Sequence, residues 1–130
     1  MPSQDMWGDF QVQPLRVPVQ ILREQAAALG PRTKNLVVAE VTTSTRDHQF
    51  RHGLELVVPA LDDYRYHLLY LKHNIHMYPL VLEYDDDGEL SATDISSEDE
   101  LNQALHRALS SEKTKRIINN LIGQASALAS

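Results

Sequence analysis

Between Tyr64 and Pro79 the chain reads YRYHLLYLKHNIHMYP, three histidines and four tyrosines in sixteen residues. Imidazoles set close together hold transition metals or move protons near neutral pH. His67, His73 and His76, with His48 and His52 upstream, are therefore the first residues to test for chemistry. His48 and His52 are spaced H-x-x-x-H, which converges on one face of a helix. On a strand the same spacing separates the rings by about 13 Å, whereas a zinc–nitrogen bond is about 2 Å, so one ion cannot take both. His73 and His76 are spaced H-x-x-H across an expected strand end, where a turn could bring the rings together. Such a site still lacks ligands, which only His67 or an acid from another strand could supply. The expectation is no metal and no cofactor, with His73 and His76 as the alternative metal pair.

An enzyme reading would use His52, His67, His73 or His76 with a carboxylate as acid–base pair. The chain carries no G-x-S-x-G, H-E-x-x-H or G-x-x-x-x-G-K sequence, so no nucleophile elbow, zinc helix or phosphate loop announces itself. Catalytic groups assemble in space rather than along the chain, and this reading stands as the alternative function. Cysteine is absent, which removes disulfides, thiolate ligands and thiol nucleophiles together.

The charges are more informative. The net charge of −6 comes from 18 acidic and 12 basic side chains, and nine of the acids fall in the base-free stretch EYDDDGELSATDISSEDE, Glu83 to Glu100. The remainder holds twelve bases against nine acids, a net +3. Asp85, Asp86, Asp87 and Gly88 are contiguous, so the alternating oxygen ligands of a calcium loop are not in register. Glu98, Asp99 and Glu100 suit a first helical turn, where they complement the helix dipole. Asp85, Asp86, Asp87, Glu89 and Asp94 are left over, a patch able to steer a basic partner.

Tyr64, Tyr66 and Tyr70 are expected to share one strand face, and tyrosine is enriched in interfaces because it buries area while keeping a polar tip. A nucleic-acid surface would need Arg46, Arg51, Arg65 and Lys72, but an acidic chain without RNP-like sequence argues against that further alternative.

These side chains must be positioned by a fold that the patterning outlines. Residues 1–14 lack periodicity and read as a flexible arm, with Trp7 and Phe10 able to pin it to the body or to a partner. Residues 15–130 read as a single domain. Leu15, Val19, Leu22, Ala26 and Leu29 form a helical stripe opened by Pro18 and stopped by Gly30 and Pro31. NLVVAEVTTSTR, QFRHGLELVV, the histidine–tyrosine stretch and MYPLVLEY read as four strands joined by short turns, which implies antiparallel pairing. In the third, Tyr64, Tyr66, Leu68 and Tyr70 are expected on one face, with Arg65, His67, Leu69 and Leu71 on the other. A strand apolar on both faces implies that both are covered. Ser97 caps a helix with Glu100 in the reciprocal position, and its stripe is Leu101, Ala104, Leu105, Ala108 and Leu109. A last helix carries Ile117, Leu121, Ala125 and Leu128.

The expected class is two-layer α+β: a four-stranded antiparallel meander with an N-terminal helix and one or two C-terminal helices. The N-terminus has no basic-then-apolar leader and no apolar run long enough for a membrane, so a cytoplasmic protein without a membrane partner is expected. Size, acidity and missing motifs together point to a non-catalytic protein-interaction module. Its partner would be a protein with a basic surface, as for an antitoxin or immunity-type binder, and homo-oligomers are possible.

Overall fold

The computed structural model describes residues 5–10, 12, 16–86 and 89–129. One helix, α1 (Pro18–Arg32), precedes a five-stranded sheet of β1 (Val38–Arg46), β2 (Gln49–Val58), β3 (Tyr64–His73), β4 (Leu80–Asp86) and β5 (Glu89–Ile95). Two helices close the chain, α2 (Glu98–Leu109) and α3 (Glu112–Ala129). The strands follow one another across the sheet in sequence order, every neighbouring pair antiparallel. The α+β meander is as expected, with one strand more. Strand β5 is absent from the sequence reading because Glu89 to Asp94 are all exposed and only Ile95 is buried. An element held by its backbone ladder to β4 rather than by burial leaves no apolar period to read.

The turns are set by left-handed residues. Asp47 and His48, at φ 52° and 65°, join β1 to β2, the double positive φ that matches the twist of a two-residue hairpin. Asp62 and Asp63 do the same before β3, at φ 59° and 56°.

Helix α1 runs past its expected stop. Pro31 sits in the last turn and the helix ends at Thr33, whose N–H donates to the Gly30 carbonyl at 3.1 Å. A proline in a last turn forfeits only its own hydrogen bond, so it need not end the helix where it stands. Gly30 serves packing instead, since a Cβ there would lie 2.9 Å from Asn35 Oδ1. Leu15 lies outside the described residues.

All three helices pack on one face of the sheet. Ile21, Leu22 and Ala26 of α1, Leu101, Ala104, Leu105 and Ala108 of α2, and Leu121 and Ala125 of α3 form one core with Leu54, Leu56, Leu69, Leu71, Leu82 and Ile95. Leu128, expected in the last stripe, is exposed. Ser97 caps α2 by accepting from the Glu100 N–H at 3.2 Å. Glu100 returns the contact one residue earlier than a capping box would, to the Ser96 N–H at 2.8 Å.

Strand β3 departs from strict alternation. Leu54 pairs with Leu69 but the next residue, Glu55, pairs with His67, so Leu68 is an extra residue in a β-bulge. One inserted residue exchanges the faces of everything beyond it. Tyr64 and Tyr66 therefore share the helix side with Leu69, Leu71 and His73, while Arg65 and His67 join Tyr70 and Lys72 on the open side. The strand expected to be apolar on both faces is apolar on one, and the open face of the sheet is charged.

Candidate functional site

Two regions carry groups in arrangements that packing alone does not require. The first is a cleft of about 360 Å³ at the start of α1, walled by Val17, Pro18, Val19, Phe50, Ile75 and Met77, with Arg23 at its margin. His52 and His73 line it, 3% and 7% exposed. Register brings them together: both face the helices, on neighbouring strands, and their Nε2 atoms are 2.9 Å apart.

One proton arrangement satisfies every ring nitrogen. His73 Nδ1 lies 2.7 Å from the Asn74 carbonyl oxygen, which can only accept, so this nitrogen carries hydrogen. His73 Nε2 then accepts from His52 Nε2–H, and His52 Nδ1 accepts from the Thr43 hydroxyl at 3.0 Å. In this arrangement both nitrogens of each ring are satisfied. Burial first, then the neighbouring His73 and Arg23, lower the His52 pKa to about 4. Phe50 stacks on His73 with ring centroids 5.3 Å apart.

The order hydroxyl, imidazole, orienting group is the order of an activated nucleophile, but the orienting group here is a second imidazole rather than a carboxylate. A base with a pKa near 4 also takes up little proton at neutral pH. The other expected catalytic histidines lie elsewhere. His67 is on the open face, where its Nδ1 is 3.1 Å from Glu55 Oε1 and 2.8 Å from the Tyr70 hydroxyl. His76 lines a neighbouring hollow with His48, and its N–H donates to Asn74 Oδ1 at 2.9 Å. His73 and His76 thus line different hollows. Among the described residues no group of three or more His, Asp or Glu side chains is placed to hold a metal ion.

The second region is the β4–β5 hairpin. Two of its acids are matched by cations from other elements, Glu83 by Lys72 and Asp85 by Lys113 at 3.7 Å, and Glu98 at the start of α2 is matched by Arg16 at 3.1 Å. Among the described residues Glu89, Asp94 and Asp99 take part in no ion pair. Asp86 ends β4, and Asp87 lies outside the described residues. Glu89 and Asp94 lie near the two ends of β5, which among the described residues pairs only with β4 and has its other edge unpaired. Between them Leu90 is 68% exposed, on the face that also carries Ala92 and Asp94.

The three tyrosines expected on one face are divided by the bulge. Tyr64 is half exposed at the start of β3, Tyr66 packs against the core, and Tyr70 lies on the open face. Tyr70 covers Gly53, where an added Cβ would sit 2.9 Å from its ring, and the Arg51 guanidinium lies 3.9 Å above the ring centroid.

Arg46, Arg51, Arg65 and Lys72 share this face by register. Two are neutralised: Arg65 by Glu40 at 2.6 Å and by the buried Glu55 at 2.9 Å, and Lys72 by Glu83. Hydrogen bonds to Glu40 and Glu55 raise the Arg65 pKa further. Such a face lacks the uncompensated positive field that nucleic acid requires.

The cleft was outside the reach of sequence reasoning, because it depends on register between strands. Glu55, a buried acid bridging Arg65 and His67, was not singled out from the sequence either. No helix among the described residues is long and apolar enough to cross a membrane. No protein-family model, curated protein or solved structure matches the chain, so function must be read from this geometry.

Proposed function

We propose that this chain is a non-catalytic protein-binding module that takes an extended, basic segment of a partner protein along the free edge of β5. The observation that carries this reading is a strand exposed on both faces from Glu89 to Asp94, with one edge unpaired. An open edge offers a row of backbone donors and acceptors to an added strand, and side chains opposite supply the selectivity. Charges on an edge strand also guard against aggregation, and here the two effects agree in sign. Two β5 edges brought together would oppose carboxylate to carboxylate, whereas a basic strand would pair with them. The favoured segment places Lys or Arg opposite Glu89 and Asp94, and apolar residues opposite Leu90 and Ala92. Inhibitors of basic proteins, of the antitoxin or immunity type, belong to this class.

The test is titration with a synthetic lysine–valine peptide that sets valines opposite Leu90 and Ala92 and lysines opposite Glu89 and Asp94, read by amide hydrogen exchange. Residues Leu90 to Asp94 should gain protection, and binding should weaken as salt rises, because exposed charges are screened within about 10 Å at 0.1 M. Protection appearing elsewhere, or binding indifferent to Glu89→Lys with Asp94→Lys, would reject the edge as the site.

A further inference from the structure

Large apolar residues are left in solvent along the N-terminal arm and at the histidine cleft. Met6, Trp7, Phe10 and Val12 lie on the N-terminal arm, Trp7 79% and Phe10 70% exposed, their rings 6.1 Å apart. Val17, four residues beyond Gln13 in the chain, is a wall of the histidine cleft. Ile75, 76% exposed, lines the same cleft. An exposed aromatic arm and an apolar cleft thus lie close along the chain.

Charge fits as well as polarity. Arg23, at the margin of the cleft, makes no ion pair among the described residues. The arm carries Asp9 beside Phe10 and Asp5 beside Met6, both exposed. Asp5 accepts locally from the Trp7 N–H at 2.9 Å, which leaves Asp9 to meet Arg23.

We infer that the cleft lined by Val17, Phe50, Ile75 and Met77 receives the Trp7–Phe10 arm of a second copy of this chain, in a two-fold dimer that exchanges arms. Four residues of chain separate Val12 from Val17 in the cleft wall, so two copies set cleft to cleft can exchange arms over a short path. A two-fold axis satisfies both exchanges at once and closes the assembly. The size is adequate. Four rings on two arms, at about 150–250 Å² each, contribute roughly 600–1,000 Å², and the cleft walls they cover bring the total past the roughly 1,000 Å² expected of a specific interface. The cleft of about 360 Å³ lies in the range of formed binding pockets. The histidine pair suits such an occupant, since its satisfied nitrogens leave a floor that asks nothing polar of an incoming ring. This dimer uses no residue of β5 and does not depend on the β5 reading.

The full chain supplies its own probes, with one tryptophan, Trp7, and no cysteine. Sedimentation equilibrium should give the mass of two chains, and Trp7 emission should move to the blue in step with dimer formation. Mixing Asp9→Cys protein with Arg23→Cys protein should yield a disulfide-linked pair containing one of each. Trp7→Ala with Phe10→Ala should weaken the dimer at least tenfold without lowering the unfolding midpoint of dilute protein, and Ile75→Asp should do the same from the cleft side. A single-chain mass at every concentration overturns the proposal, whether Trp7 stays in solvent or is buried in its own cleft. So does a dimer that survives removal of the two rings, or cross-linking confined to like variants.

Discussion

The acidic edge and the histidine cleft solve the problem of polar groups in opposite ways. At β5 the carboxylates stay in water, and Glu89 and Asp94 have no ion-pair partner among the described residues. Such charges cost the fold almost nothing and are available to another molecule. In the cleft His52 and His73 are buried, and each ring nitrogen is satisfied by a named partner. Those groups are committed to the fold, and disturbing one leaves another unsatisfied in a dry place. The difference separates a surface tuned for encounter from a floor tuned for shape.

Mutation should break that contrast most sharply on the buried side. His73→Ala removes a buried ring and leaves the His52 N–H without an acceptor, so unfolding in urea should show a loss of about 3–4 kcal/mol. A loss below about 1 kcal/mol would mean that water or a neighbour takes over the bond.

Acid should act next. The folded His52 pKa of about 4 lies below its ordinary 6.5, so above pH 6.5 neither state binds the proton and stability is unaffected. As pH falls below 6.5 the unfolded chain takes up a proton that the folded chain refuses. Stability is then lost progressively, and the loss is complete below pH 4, at about 3 kcal/mol. Urea unfolding from pH 7 to pH 4 measures this, and His52→Gln should remove that component of the slope.

The exposed side should give the smallest effect on stability. Glu89→Gln with Asp94→Asn should change unfolding free energy by no more than about 0.5 kcal/mol, while weakening the lysine–valine peptide severalfold. A large stability change there would make the edge part of the scaffold and erase the contrast.

How far each region was legible follows from the same distinction. Strand β2 was readable because Phe50, His52, Leu54, Leu56 and Val58 place one helix-facing side chain at every second residue, although Glu55 and Val57 between them are buried as well. Ser97 and Glu100 marked the start of α2 because capping is local chemistry. Strand β5 was silent because it buries only Ile95, and a ladder of backbone hydrogen bonds writes nothing into side-chain type. The end of α1 was misplaced because Pro31 forbids one hydrogen bond rather than a whole turn. The tyrosine face failed at a single residue: Tyr64, Tyr66 and Tyr70 alternate correctly, and the bulge at Leu68 divides them.

Sequence by itself determined the α+β class, the antiparallel order of the first four strands, the helix cores and the concentration of acid between Glu83 and Glu100. Each of these depends on neighbours along the chain, through periodicity, capping and turn chemistry. Tertiary structure alone decided that His52 meets His73, that His67 turns to the opposite face beside Glu55, and that β5 leaves an acidic edge open. Those facts depend on register between strands, and register is set by the packing of the whole sheet against its helices, which no local pattern encodes.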